Sequence, residues 1–232
     1  MKKTSALILS ALATTTMSTQ AADIDIHIQN LTQGIYFTPL LVTAHSDEAA
    51  LFHVGEAASG ELQAMAEGAD ISGLESIADG VSANSSANPA GGLLAPGAST
   101  MTMLSTSADN TRLSIVGMLL PTNDGFVGLD SWHIPSEAGT YTIYLNGYDA
   151  GTEANDELIT GGGAPGVPGI PAAPGGNGGT NGTGVTDMNG SEVIHIHPGN
   201  IGDDMIDGGK SDVDSRVHRW LNPVAKVTVT VN

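Results

Sequence analysis

The sequence predicts a mainly β protein: an antiparallel β-sandwich with one or two short helices and a Gly/Pro-rich loop insertion. Three observations predict it. Alternation of polar and apolar residues recurs from one end of the chain to the other. The two helix-like stretches are short and broken by glycine. Turn formers are abundant, with 31 Gly and 11 Pro in 232 residues, which suits many tight connections.

Residues 1–22 form a separate unit. Lys2 and Lys3 precede the apolar run ALILSAL at 6–12, and small residues end at Ala21 and Ala22. This is the pattern of a secretory signal peptide, and the run is too short to span a bilayer core of about 30 Å. The expected mature chain is a single domain over residues 23–232. It is exported, to the periplasm or to the extracellular space, and carries no transmembrane segment.

Residues 23–31 (DIDIHIQNL) place three isoleucines on one face, the pattern of a half-buried strand. Residues 36–45 (YFTPLLVTAH) form a second extended run, broken by Pro39. Ser59 caps one expected helix and Ser72 another, with interruptions at Gly68 and Gly73. Residues 82–96 read as a small, polar, turn-rich connection. Strands are then expected at 100–104 (TMTML), at 112–120 (RLSIVGMLL, apolar enough to be central) and at 140–148 (TYTIYLNGY). Residues 161–184 have no periodicity and are nearly all Gly, Pro, Ala, Asn and Thr, which predicts a flexible insertion. Strands return at 192–197 (EVIHIH) and at 224–231 (VAKVTVTV), the latter with its apolar residues all on one side.

Twenty-five Asp+Glu against seven Lys+Arg give a net charge of -18. That excludes the basic face needed for nucleic acid or anionic membranes, and it suits cations. The chain has no Cys, so disulfides, thiolate metal sites and cysteine nucleophiles are excluded. Neither a nucleophile elbow nor H-E-x-x-H is present. Aromatics at 4% argue against the sugar-stacking cleft of a glycosidase.

Two acid-bearing turns carry the chemistry. LPTNDGFVGL at 120–129 brings Asn123 and Asp124, and YDAGTEANDE at 148–157 brings Asp149, Glu153, Asp156 and Glu157. Each follows an expected strand and contains Gly. If both lie at one end of the sandwich, their carboxylates converge and repel until protons or a cation neutralise them. Hard oxygen donors on loops suit Ca²⁺. Solvated acidic turns on an acidic surface are the alternative.

The strings MLLPTNDGFVGLD, YDAGTEANDE, WLNPVAKVTV and LFHVGEAASGELQAMAEG together resemble the spondin N-terminal domain family in its bacterial form. The resemblance runs from about residue 24 to 231. It implies a C2-like β-sandwich and, from the family's animal members, a bound Ca²⁺. It carries the calcium ligands onto Asp124 in PTNDG and onto Asp149 and Glu153 in DAGTE. Glu153 stands where those members have Asp, and Tyr148 where they have Trp. The Gly/Pro insertion is extra.

His195 and His197, two apart on an expected strand, could hold Zn or Cu given further ligands. The solvated acids at 203–214 lack the order of a calcium loop. The expected function is an exported, non-enzymatic binding or adhesion-type module, a monomer with a calcium-binding loop end and an extracellular or cell-surface ligand. The alternatives are a Zn- or Cu-dependent hydrolase or redox protein using His195 and His197, and a purely structural extracellular protein.

Overall fold

The structure is a computed structural model that describes residues 21–176, 178–186, 190–205 and 207–232. The expected leader over 1–22 lies, except for its last two residues, outside the described residues.

The elements in chain order are β1 (Asp23–Asn30), β2 (Tyr36–Phe37), β3 (Leu41–His45), α1 (Gly60–Gly68), α2 (Ser72–Gly80), β4 (Asn84–Ala87), β5 (Ser99–Ser105), β6 (Arg112–Leu120), β7 (Gly125–His133), β8 (Gly139–Asp149), β9 (His195–Ile196) and β10 (Ala225–Val231). The main path runs β4-β3-β6-β7-β8-β10-β1-β5, with β2 on β6 and β9 on β8. Every strand pair is antiparallel. The two ends of the path approach each other, and Thr102 Oγ1 on β5 donates to Ser86 Oγ on β4 at 2.7 Å. The sheet therefore folds over on itself into a nearly closed sandwich. The first and last strands pair along their length, Ile24 with Val231 through Asn30 with Ala225.

The patterning follows from what covers each face. β10 alternates buried and half-exposed because only one face meets the core. That core holds Ile24, Ile26, Ile28, Ile115, Val127, Leu145, Val227 and Val229. β6 is buried nearly throughout because its other face meets the helices. There Val116, Met118 and Leu120 pack with Leu62, Met65, Ala66, Leu74 and Phe126. A strand covered on both sides reads as continuously apolar, as residues 112–120 do.

Four local expectations are corrected. Ser59 caps α1, accepting from Leu62 N at 3.1 Å. α2, however, begins at Ser72 rather than after it, and Ile71 at its N-cap makes no side-chain bond. Asp70 Oδ1 accepts from Ser72 N and Oγ instead, because a carboxylate just before a helix satisfies the free N–H groups of its first turn as well as a hydroxyl does. Residues 82–96 include β4, a polar strand held by its register with β3. Residues 120–129 are a turn only as far as Asp124. β7 starts at Gly125, and with both faces buried over its first five residues it shows no alternation. The strand expected at 192–197 pairs only at His195 and Ile196. Glu192 has φ 64°, a left-handed conformation that interrupts an extended chain.

The Gly/Pro-rich segment 161–184 forms neither helix nor strand among its described residues. It nevertheless lies against the body of the protein. Ile170 is fully buried and bridges Ile159, and Gly166, Gly169, Thr180 and Gly182 donate backbone N–H groups to carboxylates elsewhere in the chain.

Candidate metal site at the carboxylate loops

Strand register answers whether the two acid-bearing turns meet. β7 runs antiparallel to β8, so the start of one lies beside the end of the other, and Gly125 pairs with Asp149. Asp124 thus sits next to the strand end that carries Asp149. The turn before β7 is locked by Thr122, whose Oγ1 donates to Leu119 O at 2.6 Å and accepts from Gly125 N at 3.0 Å. Gly125 is required there by close approach, since a Cβ would come within 2.6 Å of Thr122 Oγ1. On the other side, Gly151 takes φ +74° and packs its Cα against the backbone of Val193. This turn brings Thr152 and Glu153 back towards Asp124.

Asp124 is fully buried, and Asp149 and Glu153 nearly so. Asp124 Oδ2 accepts from Thr152 N (2.8 Å), Thr152 Oγ1 (3.2 Å) and Glu153 N (3.1 Å). Asp149 Oδ1 accepts from Gly151 N at 2.8 Å, and its Oδ2 accepts from Asn155 Nδ2. Glu153 Oε2 accepts from Gly169 N at 3.0 Å and from Asn123 Nδ2 at 3.4 Å. The other oxygens, Asp124 Oδ1 and Glu153 Oε1, are buried with no hydrogen-bond partner. Buried acceptors without partners are uncommon in folded proteins and call for a proton, a water or an ion.

Electrostatics agree with this inventory. Burial, followed by the charge of Asp149, pushes the Asp124 carboxyl up to about 6, against the opposing N–H groups of Glu153 and Thr152. Burial pushes Glu153 up to about 7. The Gly169 N–H resists that shift, and the charges of Glu67 and Asp124 add to it. Asp124 is thus coupled to both other predicted ligands.

The donor set is hard and anionic, with the partly exposed His195 Nδ1 3.8 Å from Asp149 Oδ1, and it fits Ca²⁺ in chemical type. The carboxylates have not closed into a cage. Among the described residues no three His, Asp or Glu side chains are gathered closely enough to hold an ion as they stand. A cavity of ≈ 370 Å³ lined by Gly151, Thr152, Glu153, Asp156 and Gly166 lies alongside Glu153.

The other acids of the second turn are spent on structure. Asp156 accepts from Asn123 Nδ2 at 2.9 Å. Glu157 accepts from Ile201 N, Gly202 N and Ser211 Oγ and so anchors the following loop. The histidines do not behave as a pair. His195 is partly exposed, and its Nδ1 contacts Val193 O and Ser191 Oγ at 3.0 Å. His197 is buried against Trp220, with ring centroids 4.9 Å apart. Its Nδ1 accepts from Gly199 N at 2.9 Å, and its Nε2 has no partner. Burial holds His197 down at about 4, opposed by the nearby charge of Asp149. Of the isoleucines beside these histidines, Ile194 is buried and Ile196 is exposed.

Two participants escaped the sequence reading. Glu67 is fully buried on α1, where it accepts from Gln63 Nε2 at 2.8 Å and from Gly166 N at 2.6 Å. Its signal was an acid directly after Met65 and Ala66 on an apolar helix face. The second is Gly169 N, from a segment whose composition carries no side-chain signal at all.

The described residues contain no helix long and apolar enough to cross a membrane. No curated protein matches the chain. A family model described as Spondin_N matches residues 27–158, a span that contains Asp124, Asp149 and Glu153 and most of the sheet. This is not a known enzyme family. With more than half of its length matched, and with the antiparallel β architecture that the resemblance implied, the chain belongs to the Spondin_N family.

Proposed function

We propose that this protein is an exported, non-enzymatic binding or adhesion-type module, a single domain over residues 23–232 whose loop end is organised by one Ca²⁺. The observation that carries the proposal is the pair of buried, partnerless carboxylate oxygens, Asp124 Oδ1 and Glu153 Oε1, on side chains already pushed towards neutrality. Asp124 and Glu153 would offer those oxygens. Asp149 would join by exchanging a local donor for the ion, and backbone carbonyls and water would complete the 6–8 oxygens that Ca²⁺ takes. The ion supplies the positive charge that the buried acids lack. The surface loops it fixes present the face that meets an extracellular or cell-surface ligand.

The test is the thermal midpoint of the purified protein at pH 8 in EDTA, in Ca²⁺ and in Zn²⁺. At free Ca²⁺ 100 times the dissociation constant, linkage adds about 2.7 kcal/mol, or roughly 5–11 °C for a protein of this size. Asp124→Ala and Asp149→Ala abolish that rise. The proposal fails if millimolar Ca²⁺ leaves the midpoint unmoved. It also fails if only Zn²⁺ raises the midpoint and His195→Ala removes the effect, which would move the site to His195 and His197.

A further inference from the structure

The outer face of the sheet carries a second donor set, of different chemistry and on different strands. β5 turns Leu104 inward and presents Ser99, Met101, Met103 and Ser105 to solvent. Met101 is 66% exposed and Met103 77%, so neither side chain gains from burial. In the β1–β5 register, Met101 lies opposite His27 and Met103 opposite Asp25. Residues paired across antiparallel strands share a face, and a long side chain also reaches the diagonal neighbour two positions along. Both thioethers are therefore placed within side-chain range of the same imidazole.

His27 is half-exposed, and among the described residues its ring has no hydrogen bond or ion pair. Its other cross-strand neighbour is Thr228 on β10. Asp25 stands one pair along, taking a hydrogen bond from Asn232 Nδ2 at 3.2 Å. The nearest basic residue on this face is Lys226, opposite Gln29.

Two neutral thioethers and an imidazole make a soft donor set. Such donors select Cu(I) and bind hard ions poorly. Methionine, unbranched and flexible, can swing its sulfur onto an ion without moving the strand. The carboxylate of Asp25 and the strongly acidic chain draw cations to the surface. We propose that Met101, Met103 and His27 form a surface site for Cu(I) on the outer face of β1 and β5. The site is independent of the carboxylate loops and does not rest on the calcium reading.

Tyr144 is also exposed on this face, opposite Lys226, so an apolar docking patch is the competing use of the two methionines. Leucine distinguishes them, because it keeps the apolar surface and removes the sulfur. The protein is titrated without oxygen against Cu(I) held by a chromophoric chelator. In parallel, Ag(I), a redox-inert soft probe, is followed by methionine methyl NMR. The expected result is one Cu(I) per chain, with Ag(I) shifting the methyls of Met101 and Met103 but not that of Met205, which is exposed elsewhere. The double variant Met101→Leu, Met103→Leu loses at least about 100-fold in affinity and His27→Asn at least about 10-fold, since losing even an outer partner of a metal site costs on the order of 10–100-fold. The proposal is overturned if the wild type withdraws no Cu(I) at micromolar protein, if Ag(I) leaves both methyls unmoved, or if the double leucine variant binds as well as the wild type. The methyl shifts are read on the wild type, so they decide the matter even if a variant misfolds.

Discussion

Two acidic regions of the same chain have opposite electrostatics. At the loops around Asp124, Asp149 and Glu153, carboxylates are buried beyond their supply of donors, and two of them are pushed well above the usual carboxylate range. In the loop at 203–214, Asp203, Asp212 and Asp214 are held below it. Asp203 accepts from the backbone N–H groups of Ser211, Met205 and Lys210. Arg216 holds Asp214 down at about 2 through paired hydrogen bonds. Asp212, despite some burial that pushes the other way, is held down by Gly182, Thr180 and Ile159. A carboxylate's environment, and not its density along the chain, decides whether it needs an ion. The second region contains more aspartates in fewer residues, yet the charges of Asp203, Asp212 and Asp214 are already answered.

The sharpest way to break this contrast is to remove one acid from each region. Asp212→Ala strips the acceptor from the N–H groups of Ile159, Thr180 and Gly182 and from Thr180 Oγ1. It thereby frees the end of the Gly/Pro-rich segment at Thr180 and Gly182, while Gly166 and Gly169 stay bound to Glu67 and Glu153. Hydrogen bonds to a charged group are worth about 1.5–3 kcal/mol each where burial is good, and for this partly exposed set the expected loss is about 3 kcal/mol in urea unfolding at pH 7. The group's lowered pKa means that this contribution is present above the unfolded value, about 3.9. It disappears as pH falls through the lower folded value, so wild type and variant converge in acid.

Asp124→Asn has the opposite sign in metal-free protein. The amide oxygen still accepts from Thr152 and Glu153, the amide nitrogen replaces a partnerless acceptor, and repulsion from Asp149 is gone. A shift of roughly two pKa units at about 1.4 kcal/mol each sets a ceiling of about 2.8 kcal/mol, and because the new amide NH₂ group also lacks a partner the expected gain at pH 8 is about 2 kcal/mol. The same variant loses the stabilisation by Ca²⁺. A destabilised, calcium-responsive Asp124→Asn protein would show that the carboxylate is a structural acceptor like Asp212.

How much of this was legible in the sequence depended on whether a feature is local. The alternation of β1 and β10 was readable because each has one wet face, and the continuous apolar run of β6 because both of its faces are covered. β4 was not readable: Asn84, Ser85, Ser86 and Ala87 carry no strand signal, and their conformation comes from the edge of β3 that they cover. At the site, Asp124, Asp149 and Glu153 were picked out by turn chemistry and by the family resemblance, and the β7–β8 register does bring Asp124 and Asp149 together. The sequence could not show that Glu67 arrives from a helix or that the backbone of Gly169 reaches Glu153. Both depend on long-range packing. His195 and His197 looked equivalent because alternation assumes an unbroken strand, whereas pairing with β8 stops at Ile196 and leaves His197 beyond it.

The smallest expected effect, and the finest probe of the buried region, comes from His197. Its ring lies beside Gly125 and against Trp220, and burial keeps it neutral, down to about 4. A base whose folded pKa is lowered contributes stability above its unfolded value, about 6.5, and loses it as pH falls towards 4. Asp124 and Glu153 act in reverse. Their raised pKa values favour the protonated forms, so the metal-free fold is least burdened below about pH 4 and loses stability as pH rises through 6 and 7. Between pH 4 and 6.5 the slopes oppose, one base against two acids, so His197 offsets about half of the fall and the metal-free wild type declines only gently there. His197→Gln keeps an acceptor for Gly199 N but removes the imidazole's slope. Its urea midpoint should then fall more steeply than that of the wild type from pH 4 to 7, and the difference between the two should change by about 1–2 kcal/mol across that window. Parallel profiles would mean that His197 titrates as an ordinary surface imidazole and that the buried region is wetter than its unpartnered atoms indicate. Divergent profiles would show that a neutral histidine partly offsets two reluctant carboxylates until an ion takes over the charge of the acids.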